Sequence, residues 1–244
     1  MKYSIIILAA GLGTRFKKKT STMPKGLLKI NNKEILLWQL ENILNSKISI
    51  KDFHIVTGHC SNLIKKFYEK KLKKFKINFY YNKFYKNTGC IYSFFRTLPK
   101  LKSNFVYFNS DLVVADKYLS LISENKNSNI ILCRKKINLK STVLQDVIIC
   151  KNKIINMGLK LKDDTPYEAV GPIKCSKKII KSIKKIKRSK RPSFFKKMPC
   201  YSFFGMYPKI FNLKSIFIPD KYWHEFNTSN DLKNAKNKFL FKSA

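Results

Sequence analysis

Apolar and polar positions along the chain fall into blocks that predict alternating strands and helices. The first block, Ile5-Ile6-Ile7-Leu8-Ala9-Ala10, is continuously apolar and stops at Gly11. A run of this kind predicts a strand buried on both faces. Leu27-Leu28-Lys29-Ile30 is a short apolar segment, and Asn31-Asn32-Lys33 marks a turn. Across residues 34–45, Ile35, Leu36, Trp38, Leu40, Ile43 and Leu44 fall close to helical spacing and predict an amphipathic helix. A second strand over 53–57 ends at Gly58, a helix covers 61–74, and Ile77-Asn78-Phe79-Tyr80-Tyr81 forms a third strand. An aromatic-rich strand, Phe105-Val106-Tyr107-Phe108, then runs through Asn109-Ser110 into Asp111. Strands alternating with helices imply a mostly parallel sheet with its ligand crevice at the strands' carboxyl ends.

From Asn129 onward the pattern changes. Ile130–Cys133 predicts another strand, and Val147–Cys150 with Ile154–Gly158 predicts a hairpin turning at Lys151-Asn152-Lys153. Residues 176–191 place Ile179, Ile180, Ile183 and Ile186 on one face of a very basic helix. The proline-bounded stretch Pro192–Pro199 is expected to be irregular and mobile. Asp116 is expected to cap the helix that follows it, and Thr228-x-x-Asp231 to start another.

Composition narrows the class. At 244 residues one domain is expected, and a hydrophobic content of 44% is ordinary for a globular protein. The formal charge of +37 is not ordinary. Such an excess points toward nucleic acid or an anionic surface. The lysines are nevertheless dispersed among many Asn and Ile, which fits a compositional bias better than a built binding stripe. Cys60, Cys90, Cys133, Cys150, Cys175 and Cys200 make no C-x-x-C pair and have no histidine at metal spacing, so they suit the reduced thiols of a cytoplasmic protein. Lys2 and the apolar run behind it pass straight into glycines, against a signal peptide. No stretch approaches 18 apolar residues, so no span of a membrane is expected.

The candidate chemistry starts where the first strand ends. Gly11-x-Gly13 allows a sharp turn with the backbone close to a ligand. Free backbone N–H groups followed by Arg15 and Lys25 suit a polyphosphate. A dinucleotide fingerprint is excluded, because Phe16 stands where the third glycine belongs. A Walker loop is excluded too, because Gly13 is followed by Thr14-Arg15. The string Leu8-Ala9-Ala10-Gly11-x-Gly13-Thr14-Arg15 with Pro24-Lys25 resembles the signature of the sugar-phosphate and alcohol-phosphate nucleotidyltransferases. The resemblance implies a Rossmann-like α/β fold of GT-A type, with a mixed, mostly parallel central sheet and helices on both faces. It also implies that the loop wraps a nucleoside triphosphate, with Arg15 on the β and γ groups and Lys25 on the α-phosphate.

Further segments extend the resemblance. Thr88-Gly89-Cys90-Ile91-Tyr92-Ser93 is similar to the base-pocket segment of phosphocholine-type cytidylyltransferases, with Gly89-Cys90 where two asparagines are common. Thr88, Gly89 and Ser93 are thereby expected at the nucleotide. Asp111 matches a metal-binding aspartate. Tyr222-Trp223-His224-Glu225-Phe226-Asn227-Thr228 resembles a motif whose central aspartate is the second metal ligand, so Asp111 and Asn227 are the implied Mg²⁺ ligands, with the amide oxygen a weaker one. Lys160 resembles the lysine that meets an acceptor's phosphate, and Tyr167-Glu168-Ala169-Val170-Gly171 the strand that floors the acceptor pocket. Trp223, Tyr167, Glu168 and Glu225 offer aromatic faces and carboxylates to an ammonium group. Residues 1–128 then form a nucleotide-binding half, 129–221 an acceptor-binding half, and 222–244 a returning metal-binding motif with a C-terminal helix. The implied reaction is transfer of CMP from CTP to a small phosphorylated or phosphonate acceptor, as in surface glycan or phosphonate biosynthesis. Two alternatives stay open: a hexose-1-phosphate uridylyl- or guanylyltransferase, and an inactive homologue whose basic surface binds nucleic acid.

Overall fold

A computed structural model describes the chain except for residues 126–127, 137–144, 160, 162–164 and 242–244, and the side chains of residues 17 and 239. β1 (Tyr3–Ala9) is buried at every position, as an unbroken apolar run requires. After the glycine loop and a 3₁₀ turn over Thr14–Thr20, β2 (Lys29–Ile30) and β3 (Lys33–Glu34) form a small hairpin. Its turn holds Asn31 at φ 49° and Asn32 at φ 63°, the left-handed region that asparagine tolerates. α1 (Ile35–Asn45), β4 (Ile50–Thr57), α2 (Ser61–Lys71) and β5 (Ile77–Tyr81) follow. Next come α3 (Cys90–Phe94), β6 (Asn104–Asn109), β7 (Leu112–Val114) and α4 (Asp116–Glu124). Ala115, not Asp116, is the cap of α4, and the Asp116 carboxylate accepts the Lys117 N–H inside the first turn, where it still faces the positive end of the helix.

The second half comprises β8 (Asn129–Lys135), β9 (Gln145–Cys150), β10 (Lys153–Gly158), β11 (Tyr167–Cys175) and α5 (Lys178–Ser189). α6 (Pro192–Phe195), α7 (Cys200–Gly205), α8 (Pro208–Phe211), β12 (Leu213–Phe217), β13 (Trp223–Glu225) and α9 (Ser229–Ala235) complete the chain. The stretch expected to be mobile is instead pinned. Phe195 is buried, and the carbonyls of Lys196 and Met198 accept the N–H groups of Gly89 and Ile91.

One sheet runs through both halves in the order β5-β4-β1-β6-β11-β8-β12-β10-β9. The pairings of β4 with β5 and of β1 with β4 and β6 are parallel, whereas β11 lies antiparallel to β6, β8 and β9. Period-2 alternation divides the strand side chains between two layers. Val106 and Phe108 join Leu36, Leu40, Ile64 and Leu119 on the side of α1, α2 and α4. Phe105 and Tyr107 join Ile91, Ile183, Phe203 and Phe211 on the side of α3, α5, α7 and α8. No helix among the described residues is long and apolar enough to cross a membrane.

Candidate functional site

The parallel strands β1, β4 and β6 end beside one another, and a cavity of about 310 Å³ opens there. Its floor is the turn that follows β1. Leu8, Ala9, Ala10, Gly11 and Gly13 all line it. Gly13 sits at φ 66°, with Lys25 and Thr20 packed within 3.2 Å of where a Cβ would stand, so a larger residue would strain the turn. A Cβ on Gly11 would meet nothing within 4 Å, which leaves the backbone open toward the cavity. His59 fastens the loop from the end of β4: its N–H donates to the Ala10 carbonyl at 3.1 Å, and its ring Nε2 lies 2.7 Å from the Thr20 carbonyl oxygen.

Two cations face two oxygen-bearing side chains across this floor. The Lys25 ammonium is paired with Asp111 Oδ2, and the Arg15 guanidinium donates to Asn227 Oδ1. Asp111 stands in the turn between β6 and β7. Asn227 follows β13, which pairs antiparallel with β7, so pairing of two short strands brings residues far apart in sequence to one place. The Asn227 Nδ2 donates to Glu225 Oε2 at 2.8 Å. Its backbone N–H donates to Asp231 Oδ2, also at 2.8 Å, within the capping box that Thr228 and Asp231 build at the start of α9. Asp111 Oδ1 is buried with no hydrogen-bond partner.

Glu225 completes the group. Its carboxyl opens on the cavity and is enclosed by protein on its other sides. That loss of solvation, and next the negative charge of Asp111, push its pKa up to about 7, while Lys25, the Asn227 amide and Arg15 pull it back. Asp111, Glu225 and Asn227 therefore present a cluster of oxygens facing the two cations Lys25 and Arg15. The nearby tyrosines Tyr107 and Tyr201 are also raised, first by burial.

The opposite wall carries Tyr85, Thr88, Gly89, Cys90 and Ser93. A Cβ on Gly89 would stand 2.7 Å from Lys197 C and Met198 O, so glycine is what lets the 196–198 backbone close this wall. Cys200 at the start of α7 donates its N–H to Cys90 Sγ at 2.9 Å. The rear is formed by Gln145, Tyr107, Asn109 and Tyr201.

Of the residues singled out in the sequence, the cavity gathers Leu8, Ala9, Ala10, Gly11, Gly13, Arg15, Lys25, Thr88, Gly89, Ser93, Asp111, Glu225 and Asn227. Thr14 is exposed at the start of the 3₁₀ turn and does not line it. Three of the expected acceptor residues are elsewhere. Pairing with β8 sets Glu168 opposite Arg134, and the fully buried carboxylate takes that guanidinium at 2.8 Å, as a charge without water requires. Arg134 also binds Asp220 at 3.0 Å and lies over the Trp223 ring, whose Nε1 donates to Asp220. Tyr167 packs its ring on Phe217. Lys160 lies outside the described residues. Sequence reasoning missed Tyr107 and Asn109, although alternation along β6 puts both on one face. It also missed Gln145 and Tyr201, which carry no local signal.

Comparison with known proteins gives this arrangement relatives. A family profile described as nucleotidyl transferase matches residues 4–138. The choline-phosphate cytidylyltransferase of Streptococcus pneumoniae is 32% identical over 114 residues, 47% of this chain and 44% of that protein. The bifunctional protein GlmU of Helicobacter hepaticus is 49% identical over 65 residues, 27% of this chain and 13% of that protein. The chain thus spans less than half the length of the curated relatives it matches. Among solved structures, the inositol-1-phosphate CTP transferase from T. maritima superposes with a TM-score of 0.79 at 20% identity, covering 100% of this chain and 98% of that one.

Proposed function

Because the chain belongs to the nucleotidyl transferase family, we propose that it transfers CMP from CTP to a small acceptor bearing one phosphate or phosphonate, releasing pyrophosphate. The observation that carries this is the convergence on one cavity of a glycine loop, the cations Lys25 and Arg15, and the oxygens of Asp111, Glu225 and Asn227. The cytidylyl group is favoured by the similarity to a choline-phosphate cytidylyltransferase.

In-line attack of an acceptor oxygen on the α-phosphorus needs positioning and charge neutralisation, and no covalent intermediate. Lys25 neutralises the α-phosphate, while Arg15 and the amides of Gly11 and Gly13 hold the outer phosphates. Both cations exchange their carboxylate or amide partners for phosphate oxygens when the triphosphate enters. The oxygen set fits Mg²⁺. Asp111 Oδ1 is buried and unpartnered, and Asn227 Oδ1 is a hard donor. One carboxylate oxygen and one amide oxygen suit an ion bound by one or two protein oxygens plus phosphates. Asp111 and Asn227 would hold it, and it would supply further neutralisation of the triphosphate. With Tyr167, Glu168 and Trp223 outside the cavity, an acceptor ammonium such as that of phosphocholine or 2-aminoethylphosphonate has Tyr107, Tyr201 and Glu225 to meet. Lys160 is retained as the residue for the acceptor's phosphate.

Pyrophosphate release measured with the four ribonucleoside triphosphates, crossed with a panel of phosphorylated acceptors, tests the proposal. CTP with an amino-phosphate or amino-phosphonate is expected to turn over. Asp111→Ala is expected to abolish the reaction and Lys25→Ala to slow it about 100-fold or more, the cost of removing one transition-state charge partner. Turnover only with UTP or GTP and a hexose-1-phosphate would move the chain to the sugar branch.

A further inference from the structure

Asn82, the residue after β5, is fully buried behind the wall that holds Thr88 and Ser93. Its backbone N–H donates to the Thr57 carbonyl at 2.8 Å, which ties it to the end of β4. Its Oδ1 accepts the Phe84 N–H at 3.1 Å. A backbone N–H can only donate, so the amide oxygen must lie on that side and the NH₂ on the other. There the NH₂ donates to Thr88 Oγ1 and to Ser93 Oγ, each at 3.0 Å.

The proton positions of both hydroxyls follow. Thr88 Oγ1 lies 2.9 Å from the Phe84 carbonyl oxygen, and a carbonyl only accepts, so the threonine proton is used there. Thr88 is left with a lone pair. Ser93 already accepts from Asn82, and no described residue takes its own proton. Since both side chains line the cavity, Thr88 shows a ligand only an acceptor, while Ser93 offers its free proton beside one remaining lone pair.

We infer that Asn82 sets the hydrogen-bond polarity of the nucleobase end of the site, acting as a positioning residue through Thr88 and Ser93. The inference rests on the proposal that this cavity binds a nucleotide. Cytosine offers a matching edge, a 4-amino donor beside the N3 acceptor. The amine meets Thr88 and N3 receives the Ser93 proton. An aspartate at 82 would still accept the Phe84 N–H, but its second oxygen would accept the Ser93 proton and leave that hydroxyl able only to accept from a ligand.

The test is equilibrium binding of CTP, UTP and 3-deaza-CTP, which lacks the N3 acceptor, to the intact protein and to Asn82→Asp, Ser93→Ala and the double variant. Wild type is expected to bind CTP about ten-fold more tightly than 3-deaza-CTP, the factor for one hydrogen bond. Asn82→Asp and Ser93→Ala should each remove that preference, and the double variant should lose no more than either single one. A merely structural role for Asn82 would instead weaken all three nucleotides alike and add to the Ser93 effect. That outcome overturns the inference, as does a 3-deaza discrimination that survives Ser93→Ala. Should Asn82→Asp fail to fold, Asn82→Ala, which removes the NH₂ that orients the Ser93 hydroxyl, takes its place in the same comparison. If wild type bound UTP more tightly than CTP, the cytidylyl proposal would fall. The non-additivity of the two variants, measured with UTP, would still decide the role of Asn82.

Discussion

At the scale of single residues the site is a balance of charges, and Glu225 is where the balance is most visible. Its carboxyl is raised to about pH 7, above its value in an unfolded chain. The folded state therefore holds the proton more tightly. This contribution to stability is fully present below about pH 4.5 and is lost as pH rises through about 7. Glu225→Gln, which stays uncharged, is expected to melt a few degrees above wild type at pH 8 in a chelating buffer and level with it near pH 4.5. A thermal melt series across pH checks both the sign and the window. Asn227 holds the second position of interest, with Arg15 on its oxygen and Glu225 on its nitrogen. Asn227→Asp is expected to bind Mn²⁺ more tightly, because an anionic oxygen replaces a neutral one, and Asn227→Ala to bind it more weakly. Unchanged Mn²⁺ titrations for the alanine variant would leave Asn227 as part of the α9 cap.

At the scale of elements, α1 supports both sides of the charged pair. Leu36 lies under Gly26, so close that a Cβ there would stand 2.6 Å from Leu36 Cγ, and this fixes the backbone next to Lys25. Three residues further along the same helix, buried Gln39 donates to the Asn109 carbonyl at 2.7 Å and to the Leu112 carbonyl at 2.5 Å. Those two carbonyls bracket the turn that carries Asp111. Gln39→Leu keeps the volume and removes both donors, leaving two buried carbonyls short of a partner. It is expected to cost about 1–3 kcal/mol of stability and to lower turnover more than it changes nucleotide affinity. Chemical denaturation beside steady-state kinetics would show both, and an affinity loss equal to the turnover loss would count against a role for α1 at Asp111.

For the whole molecule the dominant quantity is the formal charge of +37. Among the described residues, the ion pairs of Lys33 with Glu41 and of Lys47 with Glu124 are half-exposed or exposed and contribute little. The surplus creates a positive field that attracts anions of any kind to the molecule without selecting among them. Duplex DNA or RNA is expected to bind without sequence preference and to dissociate as salt rises from low to physiological, as counterion release requires. Filter binding of two unrelated duplexes over a salt series checks this. Tight, sequence-selective binding at physiological salt would favour the nucleic-acid alternative.

The sequence by itself determined the alternating elements of the first half, the buried first strand, the glycine loop and the polar ends of two strands. These are local properties, carried by apolar periodicity and by residues with special backbone chemistry. It also pointed to Asp111, Lys25 and Arg15, because their neighbours in sequence form a recognisable string. What only the tertiary structure decided was which of several similar side chains share a space. Glu168 and Glu225 both sit on strands with aromatic neighbours, yet one is neutralised by Arg134 and the other opens on the cavity. Alternation assigns a side chain to one face of a strand, but what covers that face depends on which strand lies alongside. For Glu168 the neighbour is β8, and for Glu225 it is β7. The pairs that define the site join residues separated by 86 and 212 positions. The stretch 192–199 has no periodicity of its own. It is fixed by hydrogen bonds to Gly89 and Ile91, partners that come within reach only once the sheet has folded.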